Sequence, residues 1–158
     1  MSRRTAVIVD MDGTLVDVRD ALPHLPNLDR FHEATRRCPP TQHVIDWIEL
    51  AVAEGHQPII VTARMYRHET LTREWLAEHV PHLDYLGPLM RGDRDHRSDD
   101  KVKLDLLRII RDDLGFDVVA AIDDRPRVIR LWQSQGIPVE VVYRDDWEAA
   151  GESYEGLL

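Results

Sequence analysis

Short apolar runs alternate with longer segments of helical periodicity along this chain. Four runs have the composition of buried strands, and they occupy residues 6–9, 58–61, 118–122 and 139–142. A weaker strand is predicted at residues 84–86. Strands separated by helices are typical of α/β proteins, because each crossover helix returns the chain to a parallel neighbour. The pattern therefore predicts an α/β fold with a central parallel sheet.

The segments between the strands repeat their apolar residues at three- and four-residue intervals, as helices do. In residues 41–54 the side chains of Val44, Ile45 and Ile48 share one face, and the segment starts after two prolines and ends at Gly55. Three further helices are predicted at residues 68–79, 99–114 and 126–135, and a glycine follows each of the last two.

Residues 16–40 contain four prolines and no long periodic pattern. In open parallel sheets, ligands bind beyond the carboxyl ends of the strands, and this segment follows directly after such an end. We predict an insertion or loop that covers the site as a small cap or lid.

Length and composition bound the class of protein. With 158 residues, 43% of them hydrophobic, the chain is predicted to form one domain spanning residues 1–158. No apolar run approaches the length needed to cross a bilayer, and the first residues lack the apolar segment of a signal peptide, so a soluble, cytoplasmic protein is expected. The single cysteine, Cys38, excludes an internal disulfide.

The formal charge of −9 argues against extensive binding along a nucleic-acid backbone, which needs a basic surface. Recognition of one terminal phosphate is compatible with this charge.

Two carboxylates follow the first apolar run. Asp10 and Asp12 are two positions apart, so in an extended chain both project to the same side. One carboxylate can attack phosphorus to form an aspartyl-phosphate, and the second can protonate the leaving oxygen and later activate water. Gly13 permits a tight exit from the strand. This pattern indicates phosphate chemistry.

Further polar side chains follow the next strands. Thr62 and Arg64 come after the second run and can bind phosphate oxygens. Asp123 and Asp124 follow the third run and, with Asp10, offer the oxygen ligands that Mg²⁺ prefers. Asp124 is also suited to capping the helix that Pro126 starts.

A lysine and an aspartate lie four residues apart at the start of a predicted helix. Asp99 and Lys103 therefore share a helix face, and Lys103 can neutralise a phosphate or the charged aspartates. The alternative is an exposed ion pair of a few tenths of a kcal/mol, roughly.

The sequence Asp-x-Asp-Gly-Thr-Leu at residues 10–15, followed by Thr62, Lys103 and the Asp123-Asp124 pair, resembles the four motifs of the haloacid dehalogenase superfamily of phosphohydrolases. The resemblance implies a Rossmann-like three-layer sandwich with a small or minimal cap. It also implies Mg²⁺ as cofactor, with Asp10 as nucleophile and Asp12 as general acid and base. The expected metal ligands are Asp10, Asp12, Asp123 and Asp124.

Residues 90–93, 97–103, 121–125 and 128–132, together with 72–76, look like the 3′-phosphatase domain of phage polynucleotide kinase-phosphatases. This resemblance implies removal of 3′-phosphates from polynucleotide ends and a role in nucleic-acid repair. It also implies Arg19 and Arg64 as substrate contacts and Asp99 with Lys103 as an orienting pair. The chain contains no Gly-rich phosphate loop of a kinase, so a separate kinase or ligase partner is expected.

Two alternatives stay open at this stage. Residues 122–126 also resemble 5′(3′)-deoxyribonucleotidases, for which the substrate is a free nucleotide. A non-catalytic binding module of the same fold is the second alternative, because fold does not dictate function.

Overall fold

A five-stranded parallel sheet forms the centre of the computed structural model, which describes residues 2–158. The strands lie in the order β3-β2-β1-β4-β5. Their bounds are β1 Arg4–Val9, β2 Gln57–Met65, β3 Leu86–Arg91, β4 Phe116–Asp123 and β5 Val139–Val141. The first strand, β1, is thus central and pairs with both β2 and β4.

Helices connect the strands and cover both faces of the sheet. Their bounds are α1 Leu28–Thr35, α2 Gln42–Ala53, α3 Glu69–His79, α4 Asp99–Arg108, α5 Pro126–Ser134 and α6 Asp145–Ala149. Short 3₁₀ turns lie at Leu22–His24 and Tyr66–His68, and a π-helical turn at Ile109–Asp113 continues α4.

The core consists of two apolar layers, because successive strand residues point to opposite faces of the sheet. Val9 and Ile60 face a cluster that includes side chains of α1, α2 and α3. Ile8 and Ile59 face the other cluster, to which α4 and α5 contribute. The predicted α/β three-layer sandwich with a central parallel sheet is confirmed.

The position predicted for the weak strand is wrong. The sequence placed it at residues 84–86, whereas β3 begins at Leu86 and runs to Arg91. Gly87 and Pro88 interrupt the apolar pattern there, and proline is tolerated because β3 is an edge strand. Met65 of β2 pairs with Arg91, so β3 reaches the edge of the sheet at which β2 ends.

Residues 16–40 contain more regular structure than the sequence indicated. They form a 3₁₀ turn and the helix α1, whose N-cap Asn27 accepts a hydrogen bond from the backbone N–H of Arg30 at 3.0 Å. At eight residues α1 is too short to produce a long periodic pattern. Within residues 2–158, no helix has both the length and the apolar character required to span a bilayer.

Candidate active site

A cavity of about 700 Å³ lies at the carboxyl ends of β1, β2 and β4. Parallel strands end at the same edge of a sheet, so motifs that are distant in sequence meet there. The structure brings together the following predicted residues in the lining of this cavity: Asp10, Asp12, Thr62, Arg64, Asp99, Lys103, Asp123 and Asp124.

Three carboxylates form a buried acidic cluster. Each of Asp10, Asp123 and Asp124 offers an oxygen atom within 4.8 Å of the others, and all three residues are buried. Burial raises the pKa of Asp10 to about 8, and the charge of Asp124 adds to this although Lys103 opposes it. Burial and the charge of Asp10 likewise raise the pKa of Asp123 to about 6. The cluster has more negative charge than its neighbours balance, which fits a hard divalent cation such as Mg²⁺.

Lys103 supplies a buried positive charge from the first turns of α4. Its Nζ donates hydrogen bonds to Oδ1 of Asp10 at 2.7 Å and to Oδ2 of Asp123 at 3.0 Å. Burial works against the ammonium form, but these two carboxylates outweigh it and hold the pKa of Lys103 above its usual value. Lys103 therefore links β1 to β4 as a cation.

The predicted pairing of Asp99 with Lys103 is not present. Asp99 instead accepts hydrogen bonds from Nη2 of Arg91 at 2.6 Å and from Nη1 of Arg125 at 2.5 Å. The Lys103 side chain points into the buried acidic cluster, where attraction is stronger than on the half-exposed helix face. Asp99 thus orients two arginines at the cavity.

Asp12 is held apart from the acidic cluster by a fork of two hydrogen bonds. Arg64 donates from Nε to Oδ2 of Asp12 at 2.9 Å and from Nη2 to Oδ1 at 2.5 Å. Burial opposes ionisation, but the Arg64 guanidinium outweighs it and lowers the pKa of Asp12. The carboxylate of Asp12 is therefore not brought into the predicted metal-ligand set, and the Arg64 donors contact Asp12 rather than open space for phosphate.

Two threonine hydroxyls lie beside these carboxylates. Thr14 lies within hydrogen-bond distance of Oδ2 of Asp10 at 3.0 Å and of Oδ1 of Asp124 at 2.9 Å. Thr62, buried in β2, accepts a bond from the backbone N–H of Arg64 at 3.2 Å, so its hydroxyl hydrogen is available to a ligand.

The C-terminal segment contributes residues that the sequence did not identify. Trp147 donates from Nε1 to Oδ2 of Asp124 at 2.6 Å, and Arg144 donates from Nη1 to the same oxygen at 3.0 Å. The hydroxyl of Tyr154 donates to the backbone carbonyl of Asp124. No motif marks these residues, and only the path of the chain after β5 brings them to the site.

Residues 16–35 form an apolar wall of the cavity. Its lining side chains are Val18, Leu22, Leu25, Leu28, Phe31 and His32. His32 is 6% exposed, and its Nδ1 lies 3.8 Å from Oδ2 of Asp12 without a hydrogen-bond partner in the described residues. Burial lowers the pKa of His32 to about 4, so the imidazole is neutral. The segment lies beside the site, and its role as a cap or lid stays a prediction.

Arg19 is the one predicted site residue that does not line the cavity. Its side chain is 83% exposed and forms an ion pair with Asp17 at 2.6 Å. Its contact with substrate stays a prediction.

The chain is similar to proteins of nucleic-acid repair. The family described as the polynucleotide kinase PNKP phosphatase domain matches residues 4–147. A protein of Autographa californica nuclear polyhedrosis virus, named as a bifunctional polynucleotide kinase/RNA ligase, is 32% identical over 138 residues, which cover 84% of this chain and 18% of the viral protein.

Solved structures share the same architecture. A chain of the Pnkp1/Rnl/Hen1 RNA repair complex is 26% identical with a TM-score of 0.75, and the match covers 90% of this chain and 44% of that one. A class C acid phosphatase from Bacillus anthracis with tungstate bound has a TM-score of 0.64 at 13% identity, over 95% of this chain and 72% of the phosphatase. This chain thus spans less than half of the repair-complex chain and less than a fifth of the viral relative.

Proposed function

Because the chain belongs to the family of polynucleotide kinase phosphatase domains, within the haloacid dehalogenase superfamily of phosphatases, we propose that it removes 3′-phosphates from polynucleotide ends. The observation that carries this proposal is the separation of two carboxylates on one loop. Asp10 lies in the acidic cluster beside Lys103, whereas Asp12 is held by Arg64. The two carboxylates therefore have the surroundings that a nucleophile and a general acid and base require.

Asp10 is the proposed nucleophile. Its Oδ1 is held by Lys103 and its Oδ2 lies beside Thr14, so the carboxylate is fixed where the cavity opens. Attack on phosphorus forms a bond from an Asp10 oxygen and breaks the bond to the 3′ oxygen, which yields an aspartyl-phosphate. Asp10, Asp123 and Asp124 would hold Mg²⁺, and its positive charge would favour the ionised form of Asp10 and offset the charge of the phosphate.

Asp12 is the proposed general acid and base. The negative charge of a bound phosphate raises its affinity for a proton, which it donates to the departing 3′ oxygen. The resulting carboxylate, stabilised by Arg64, then accepts a proton from the water that hydrolyses the aspartyl-phosphate. Thr62 and Lys103 are positioned to stabilise the charge on the phosphate oxygens.

The terminal nucleoside of the substrate is proposed to pack against the apolar wall. Leu25 and Leu28 line the cavity and are each 44% exposed, so they offer hydrocarbon surface next to the reacting groups. This wall also favours a second candidate, a 5′(3′)-deoxyribonucleotidase, because a site for free nucleotides needs contacts with the base. The family match favours the polynucleotide end as substrate.

A kinase or ligase activity is the proposed partner of this phosphatase. A similar chain occurs in the Pnkp1/Rnl/Hen1 RNA repair complex, and the viral relative is named for both activities. A ligase partner would need the 3′-hydroxyl that this reaction produces, since ligases join a 3′-hydroxyl to a 5′-phosphate, and a kinase partner would supply the 5′-phosphate.

The experiment compares phosphate release from a 3′-phosphorylated oligonucleotide and from free 3′- and 5′-nucleotides, with Mg²⁺ or with a chelator. The proposal expects Mg²⁺-dependent release with the highest kcat/KM on the oligonucleotide and none from the Asp10→Asn variant. Higher kcat/KM on the free nucleotides would assign the nucleotidase activity instead. Absence of release from every substrate would favour the non-catalytic binding module.

A further inference from the structure

The chain returns to the catalytic edge after its last strand. Residues 144–154, here called the C-terminal clamp, follow β5 and surround Asp124, which is 1% exposed. Three side chains of the clamp contact Asp124: Arg144 and Trp147 bind its carboxylate, and Tyr154 binds its backbone carbonyl. One aspartate is thus fixed through both its side chain and its main chain.

The contacts divide the two oxygens of Asp124 between different tasks. Oδ2 accepts bonds from Nε1 of Trp147 at 2.6 Å and from Nη1 of Arg144 at 3.0 Å. A carboxylate oxygen has two lone pairs, so these two donors occupy Oδ2 fully. Oδ1 lies 2.9 Å from the Thr14 hydroxyl and accepts no hydrogen bond from the clamp. The clamp therefore leaves Oδ1 as the oxygen of Asp124 for a cation.

The indole of Trp147 also contacts two guanidinium groups. The guanidinium of Arg125 lies 4.6 Å from the centre of its ring, and that of Arg144 lies 5.7 Å away. Arg125 is itself anchored by Glu152, with a bond of 2.9 Å from Nη2 to Oε2, and by Asp99. The N–H group of Trp147 is consequently oriented before any ligand binds.

We infer that Trp147 is a positioning residue for the metal site, which orients Asp124 so that Oδ1 faces the cation. Groups that hydrogen-bond a metal-binding carboxylate set its orientation, and their loss lowers metal affinity about 10- to 100-fold. This inference rests on the proposed Mg²⁺-dependent function, but it concerns metal binding, which can be measured without a substrate.

The test is the Trp147→Phe variant of the full chain. Phenylalanine keeps an aromatic ring beside the Arg125 and Arg144 guanidinium groups and removes the N–H donor to Asp124. Calorimetric titration with Mg²⁺ should give a Kd at least about tenfold higher than that of the native protein. The far-UV circular dichroism without metal should be unchanged. Saturating Mg²⁺ should restore most of the native kcat.

Tyr143→Phe is the matched control. Tyr143 directly precedes the clamp, and its exposed hydroxyl donates to Glu148 and does not contact Asp124. It should leave the Mg²⁺ Kd unchanged. Should Trp147→Phe fail to fold, Tyr154→Phe removes the other neutral donor to Asp124 and should raise the Mg²⁺ Kd in the same direction. A Mg²⁺ Kd within twofold of the native value in the folded variant overturns the inference.

The outcome separates this inference from the proposed function. If the native protein binds Mg²⁺ and Trp147→Phe raises the Kd, the positioning role of Trp147 is supported, whether or not any substrate is hydrolysed. Absence of hydrolysis would contradict only the proposed phosphatase activity. If the native protein and Trp147→Phe both hydrolyse 3′-phosphates with the same Mg²⁺ dependence, the phosphatase proposal stands. The positioning role of Trp147 is then contradicted.

Discussion

Asp10 and Asp12 lie two residues apart, yet their surroundings shift their pKa values in opposite directions. Burial, together with the nearby carboxylate of Asp124, raises the pKa of Asp10. Asp12 is more exposed than Asp10, and the Arg64 fork lowers its pKa against the opposing effect of burial. Opposite shifts in a pair of carboxyl groups are typical of sites in which the two groups have different chemical tasks. The residue that creates the difference is Arg64.

Replacement of Arg64 by lysine tests this division. Lysine keeps the charge but loses the planar fork, so Asp12 should be held less firmly and kcat should fall at least about tenfold. The acidic limb of the pH profile of kcat should move to higher pH, because Asp12 is then less stabilised as a carboxylate. Arg67→Lys, at an exposed arginine that pairs with Asp29, is the control. An unchanged pH profile in Arg64→Lys would contradict the assignment.

Gly13, in the loop that follows β1, lies close to Arg144 of the C-terminal clamp. A Cβ atom there would lie 1.9 Å from Nη1 of Arg144 and 2.4 Å from Oδ2 of Asp124, and the backbone has a φ of +82°. Gly13→Ala should therefore lose activity by displacing both side chains, and it should lose about 1–2 kcal/mol of stability from the left-handed backbone.

Gly55→Ala is a matched control for that substitution, since Gly55 has a φ of +92° and no atom within 4 Å of the added Cβ. It should lose comparable stability in chemical denaturation while retaining full activity. Equal activity of the two alanine variants would show that crowding at Gly13 has no catalytic consequence.

At the scale of elements, the site depends on parallel strands that end at a common edge. β1 and β4 bring the acidic cluster together, β2 supplies Thr62 and Arg64, and the start of α4 supplies Lys103. The segment that contains α1 covers this edge with apolar side chains. The elements therefore divide the cavity into a charged floor and an apolar wall.

The apolar wall can be tested with Leu25→Ser and Leu28→Ser combined. Loss of this hydrocarbon surface should weaken packing of the terminal nucleoside by about 1 kcal/mol, which corresponds to a KM roughly fivefold higher for the oligonucleotide. The kcat, and the KM for a small aryl phosphate, should change little. Leu50→Ser, at an exposed leucine of α2 outside the cavity, is the control. An equal increase in KM for both substrates would argue against a nucleoside contact.

For the whole molecule, the acidic cluster makes stability depend on pH when no divalent cation is bound. The pKa of Asp10 is about 8 in the folded protein, against an ordinary value of 3.8. Between these pH values the folded protein keeps a proton on Asp10 that the unfolded chain releases. The contribution of Asp10 to the free energy of unfolding is therefore fully present below about pH 4 and is lost as the pH rises through about 8.

The comparison of native protein with Asp10→Asn isolates this effect. In a chelator, the variant should gain free energy of unfolding relative to the native protein between about pH 5 and about pH 8. Mg²⁺ should stabilise the native protein more strongly at the higher pH, because it binds the ionised cluster. Chemical denaturation at both pH values measures these differences. A difference between native and variant that is the same at both values would contradict the raised pKa.

The sequence predicted the parts of the fold and site that depend on local patterns. Asp10, Asp123 and Asp124 each follow an apolar strand, and parallel strands place such residues together. The sequence could not predict that Arg64 binds Asp12, or that Lys103 binds Asp10 and Asp123 instead of pairing with Asp99. These contacts depend on burial and on charged side chains from other elements. Trp147 was missed for the same reason, since its partner lies 23 residues earlier. Gly87 and Pro88 concealed the extent of β3.

The most direct test of the central claim is to trap the covalent intermediate. Native protein and Asp10→Asn are mixed with an oligonucleotide that carries a radiolabelled 3′-phosphate and Mg²⁺, quenched in acid within the first turnover, and digested for mass spectrometry. The account predicts label on the native protein, with one phosphoryl group on the peptide at Asp10, and none on the variant. Rapid release of labelled phosphate without label on Asp10, or continued turnover by Asp10→Asn, would contradict it.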